Sequence, residues 1–180
     1  MKKQEQFSVL NLSRQDVPIV TEDTKTRYQW VPVGILDQDD YFGMVTEAYN
    51  TSTTNAACVE GVADLIYGKG IFTNEEIKQK QLDKVVPPED LRRITFDLKL
   101  YGNAAWQVIW NKAHTQILRM YHMPVQNLRA KKIYEMGRIE GYYYCSDWND
   151  YRRQKEKTYL PTFGSSSEEI EILYVKEYEP

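Results

Sequence analysis

Two histidines, two cysteines and several clusters of carboxylates are the places to look for chemistry in this 180-residue sequence. A catalytic histidine needs a nucleophile or a substrate proton within hydrogen-bond reach. His114 falls in an expected hairpin loop and His122 at a strand end beside Met123 and Pro124, with no nucleophile motif around either. Cys58 lies on the apolar stripe of an expected helix, where a thiol is inert, and Cys145 is read as a second reduced core residue. Two cysteines so far apart supply neither a disulfide framework nor a four-thiolate zinc site.

The carboxylates point to metals only superficially. Asp37, Asp39, Asp40 and Glu47 lack the glycine and final-glutamate spacing of an EF-hand loop, and capping the following helix accounts for the aspartates. Asp64 followed by Glu76-Ile77-Lys78 resembles the acid and lysine set of metal-dependent nucleases. Such residues belong on paired strands, whereas both groups fall here in helical stretches, as a solvated face would. Gly68-Lys69-Gly70 has neither the Walker spacing nor a strand before it and reads as a helix stop. The expectation is therefore no enzyme, no cofactor and no metal.

Basic residues are the remaining candidates. Residues 1–90 carry 9 Lys and Arg against 15 Asp and Glu, residues 91–157 carry 13 against 6, and residues 158–180 carry 1 against 5. A basic middle between acidic ends attracts either a polyanion or the acidic surface of a neighbouring copy. Arg129, Lys131 and Lys132, then Arg152 and Arg153 beside Tyr151, interleave positive charge with aromatic rings and are the candidate contacts for a partner or for DNA. Tyr142, Tyr143 and Tyr144 are consecutive, hence on alternating faces of a strand, and cannot form one stacking platform.

The elements that must position these groups follow from periodicity. Residues 1–36 read as an extended arm with short apolar pieces at Phe7 to Leu12 and Tyr28 to Val33. One long helix is expected from Tyr41 to Tyr67, with Cys58, Val62, Leu65 and Ile66 as its buried stripe, widened by Val59 and Ala63. Its middle, Asn50 to Asn55, is all Asn, Thr and Ser, and is a place for a break. A short helix capped by Thr73 or Asn74 runs through Lys80, and a third from Glu89 to Tyr101 opens at Pro88 and carries Leu91, Ile94, Leu98 and Tyr101 on one face.

Beyond Gly102 the period changes to two. Ala104 to Trp110 and Gln116 to Met123 form a hairpin, Lys132 to Met136 and Arg138 to Cys145 a second one turning at Gly137, and residues 170–175 a last strand. Ser146 to Lys157 is a charged piece with one or two helical turns. Helices first and antiparallel strands second make the fold α+β, with a small sheet packed on the helices. No apolar run of about 18 residues is present, and MKKQEQFSVLNLSRQD lacks a secretion signal, so the chain is expected to stay in the cytosol.

The stretch DLRRITFDLKLYGNAAWQVIWNKAHTQILRMYHMPVQNLRAKK, residues 90–132, resembles the portal protein family of tailed bacteriophages. Members carry a helix ending in Tyr-Gly-Asn, a strand of alternating aromatic and aliphatic residues, a hairpin, and a second strand ending near Leu-Pro or Met-Pro. Tyr101-Gly102-Asn103, Trp106, Trp110 and Pro124 hold those positions here. The helix into Tyr67-Gly68-Lys69-Gly70-Ile71 and the late strand Glu171 to Glu177 extend the likeness to about residues 36–178.

The resemblance implies a structural virion component, a head-tail connector rather than an enzyme. Portal proteins form rings, usually of twelve copies, at one capsid vertex through which double-stranded DNA is packaged and ejected. The implied partners are further copies of the chain, terminase, capsid or scaffold and tail-adaptor proteins, and double-stranded DNA without sequence specificity; no membrane is implied. The location would be the virion vertex, and the host cytoplasm during assembly. Residues 37–180 match the family's wing; nothing matches its stem, clip or crown, so the chain reads as a truncated product or fragment. The alternative is a free-standing nucleic-acid-binding α+β domain that uses the basic 129–157 region.

Overall fold

In the computed structural model, residues 29–34, 39–132, 139–165 and 168–176 are described. The expected arm piece Phe7 to Leu12, Asp37 and the turn at Gly137 lie outside them. Among the described residues the fold is α+β, five helices and two three-stranded antiparallel sheets.

Where one long helix was expected there are two, α1 (Tyr41–Thr51) and α2 (Thr53–Tyr67). The chain breaks inside the Asn, Thr and Ser run. Ser52 is extended, and its hydroxyl accepts from Asn55 N at 3.3 Å, capping α2 in the way that favours Ser at an N-cap. The aspartates ahead of α1 do not cap it with their side chains. Asp40 stands at the N-cap position without a side-chain bond, and Asp39 Oδ1 instead accepts from Val33 N and Arg129 Nε.

Helix α3 (Glu76–Val85) begins after Thr73, whose Oγ1 accepts from Glu75 N, and continues past Lys80. Helix α4 (Pro88–Tyr101) opens on Pro88, carries Glu89 and Asp90 in its first turn where the dipole favours them, and stops at Gly102. Gly102 has φ 67°, a left-handed geometry that a side chain resists.

The aromatic hairpin forms as read: β1 (Asn103–Trp110) pairs with β2 (Ile117–Met123), and β6 (Ile170–Lys176) adds along the other side of β1, giving the order β2-β1-β6. Ile109 faces Arg119 and Trp110 faces Ile117, so Leu118 is an extra residue in β2. The second sheet is separate, not a continuation of the first. Pro124 ends β2 and leads into a 3-10 turn at Val125–Asn127, which redirects the chain into β3 (Leu128–Ala130); β4 (Gly141–Tyr144) and β5 (Thr158–Pro161) complete the order β3-β4-β5. Trp30 bridges to Lys131 along β3, so the arm covers that edge. Helix α5 (Tyr151–Lys155) is the short helix expected in the charged piece, and β5 has no counterpart among the expected strands.

Strand β1 is covered on both faces, which explains its nearly unbroken apolar sequence. On one side Ala104, Trp106 and Val108 pack against Ile94 of α4. On the other, Ala105 and Ile172 meet Leu128 and Tyr142 of the second sheet. Helix, sheet and sheet form three layers, with α2 packed outside α4.

Candidate functional site

The residues of the Tyr-Gly-Asn and ribbon motif are turned inward. Tyr101 is buried with Phe42 and Val125, its ring edge-on to Phe42 at 5.3 Å, and its hydroxyl lies 3.0 Å from Thr46 Oγ1. Burial raises its pKa. Asn103 Nδ2 donates to Tyr101 O at 3.0 Å, closing the helix exit that Gly102 opens. Trp106 is buried under α4. Trp110, at the far end of β1, stacks on His114 and Phe163, and its Nε1 donates to Glu171 Oε2 at 2.9 Å. Glu171 is fully buried and also accepts from Gly164 N, so this carboxylate ties the ribbon to the turn before β6. His114, in the hairpin loop, has φ 53° and its Nε2 lies 3.9 Å from Glu171 Oε1.

The basic candidates do not converge on one open patch. Arg129, expected as a contact for a partner or DNA, is instead 4% exposed, donates from Nε to Asp39 and from Nη1 to the Gln126 and Leu128 carbonyls, and lies over the rings of Phe42 and Trp148. A guanidinium held by five such contacts ties Asp39 and α1 to the second sheet rather than standing free for a phosphate. Lys131 pairs with Glu140, which raises its pKa, and sits 5.6 Å from the Tyr159 ring. Lys132 donates its backbone N–H to Gln29 O. Arg153 lies 3.8 Å from Asp150, and Arg152 is in α5. Lys157 stands between the Trp30 and Tyr143 rings, at 5.2 and 5.3 Å.

The acids of the nuclease-like set are likewise partnered. Asp64 pairs with Arg92 at 2.8 Å, Glu76 with Lys80, and Lys78 with Glu75, so the nuclease-like set is dispersed over two exposed helices. Among the described residues no group of three or more His, Cys, Asp or Glu is placed to hold a metal ion. The thiols divide: Cys145 is buried, as read, whereas Cys58 is exposed on α2.

One constellation escaped the sequence reading. His122 Nε2 and Asp97 Oδ2 lie 2.8 Å apart, both nearly buried, in the wall of a groove of about 690 Å³ between α2, α4 and β2. A carboxylate-oriented imidazole is capable of proton transfer. The hydroxyl in the same wall, Thr95 Oγ1, donates to Arg92 O of its own helix, and Cys58 is on the outward side of α2. A sequence signal existed: Asp90 and Asp97, seven apart, share a helix stripe with Ile94 and Tyr101, where a polar residue needs a partner. The second groove, about 950 Å³, is lined by Asp39, Glu47, Asp147 and the buried Arg129.

The fold is α+β, and Tyr101, Asn103 and Trp106 of the motif make contacts within it. Compared with known proteins, the chain matches no family model, and no curated protein matches it. Among the described residues no helix is long and apolar enough to cross a membrane.

Proposed function

We propose that this chain is a structural component of tailed-bacteriophage particles, similar to the wing of the portal ring, and not an enzyme. The observation that carries this reading is the use made of residues 101–110. The glycine exit, the Asn103 clasp and the buried Trp106 join α4 to the ribbon and leave no reacting group among them. Through the resemblance, further copies of the chain, terminase, capsid or scaffold and tail-adaptor proteins are its partners, and double-stranded DNA passes without sequence readout.

The genes beside the coding sequence test the reading. A packaging ATPase gene and a capsid gene on either side are expected; neighbours encoding unrelated metabolism would argue against it. The nucleic-acid-binding alternative draws support from Lys157 between two rings and Lys131 beside a third. Fluorescence anisotropy with single- and double-stranded DNA separates the two. A structural module binds weakly at physiological salt, whereas tight, salt-dependent binding abolished by Lys131→Glu with Lys132→Glu would favour the alternative.

A further inference from the structure

The tip of the β1–β2 hairpin holds a histidine under three constraints at once. His114 is the one non-glycine residue with positive φ among the described residues, at 53°. Its ring stacks on Trp110 at 4.3 Å. Its Nε2 is buried without a hydrogen-bond partner, alone in that respect among the described side chains. Buried polar atoms are nearly always paired, so an unpaired one calls for a reason. The loop around it is not loose: His114 N donates to Asn111 O at 2.8 Å, and Asn111 Oδ1 accepts from Thr115 N and Gln116 N.

A buried carboxylate supplies the reason. Glu171 Oε1 lies 3.9 Å from Nε2, its side chain is 0% exposed, and its other oxygen already accepts from Trp110 Nε1 and Gly164 N. At that separation a neutral imidazole makes no hydrogen bond with the carboxylate. The neutral ring carries one proton and the imidazolium two, so proton uptake places a donor and a positive charge on Nε2 whichever tautomer preceded it. A charge-assisted N–H···O bond closes to about 2.8 Å, which asks about 1 Å of movement from the ring. The remaining charged side chains on the described elements around it, Lys112 in the loop, Arg119 on β2, and Glu168 and Glu169 ahead of β6, are all exposed. Water screens such charges, so Glu171 dominates the field at the ring.

We propose that His114 and Glu171 form a proton-operated latch: uptake of one proton from solvent by the imidazole draws Nε2 onto Glu171 Oε1 and locks the hairpin tip, through the shared carboxylate, to Trp110 and to the turn at Gly164. An imidazole changes charge between about pH 5 and 8, so the latch closes at the acid end of that window and opens at the alkaline end. The portal reading neither requires nor supplies this latch, so either can fail alone.

Hydrogen exchange of the full chain, followed by proton–nitrogen NMR at about pH 5.5 and about pH 8, tests it. Once intrinsic exchange rates are divided out, the Trp110 indole N–H and the Gly164 amide should be on the order of three- to tenfold better protected at the acid pH, the range that one hydrogen bond commands. His114→Gln, in the loop, removes the charge change and should make protection equal at the two pH values. Glu171→Gln keeps an acceptor for Trp110 and Gly164 without the charge, and should do the same. Equal protection at both pH values in the parent chain, or a pH response that survives His114→Gln, would overturn the proposal.

Discussion

Helices α2 and α4 start from the same kind of pattern, an apolar residue every three or four positions, and meet different fates. α4 lies between a sheet and another helix, so Ile94 and Tyr101 are buried, and even Asp90 and Asp97 are drawn in on the same stripe. α2 packs mainly on α4 and more lightly on α1. Its small Val59 and Ala63 take that contact, and the larger Leu65 and Ile66 remain in water. Periodicity therefore announces that a helix has an apolar face, while the number of layers around the helix decides how much of that face is covered.

The comparison can be broken most forcefully at the α4 side. Trp106→Ala removes a buried indole between α4 and β1 and should cost about 3–5 kcal/mol, lowering the melting temperature by roughly 10 °C in a thermal scan. A loss below 1 kcal/mol, read against the scale of core truncations, would show that the α4 layer is not the stronger one. Alkaline pH probes the opposite face of the same sheet. Tyr142 and Tyr174 stack at 4.9 Å, and burial pushes the Tyr174 phenol up to about 12 and that of Tyr142 higher still.

Because the unfolded chain ionises these phenols near pH 10, their contribution is complete below that pH; the Tyr174 part disappears as the pH rises through about 12, and the Tyr142 part persists to higher pH. Urea midpoints measured across that window should fall by the equivalent of about 3 kcal/mol for Tyr174, and Tyr174→Phe should flatten the fall.

Smaller effects sharpen the contrast. Gly102→Ala forces a side chain into the left-handed exit of α4 and should cost about 1 kcal/mol in urea unfolding. At the α2 side, Leu65→Ala should change the stability of the dilute monomer by less than about 0.5 kcal/mol, the value of an exposed position, despite removing a leucine. A large loss there would mean that α2 is covered after all.

Much of this organisation was legible from residue order. Pro88 and Gly102 bracket α4, and the change of period after Gly102 gives the β1–β2 ribbon with its inward Trp106. The Asn and Ser run located the break at Ser52, whose hydroxyl then caps the next helix. The division into two sheets was not legible, because Pro124 marks the end of a strand without telling where the redirected chain pairs next. Nor was the burial of Arg129. A basic residue between strands looks like surface until Asp39, 90 positions earlier, is found beside it. The His122 and Asp97 pair was hidden for the same reason, each residue being unremarkable until the sheet docks on the helix.

The claim that the chain belongs to the portal vertex is tested most directly on intact particles. Antibody against this chain, carrying gold and applied to purified phage particles from a host that bears the gene, should label one vertex per head, at the head-tail junction. Particles free of label, or gold distributed evenly over the shell, would contradict it.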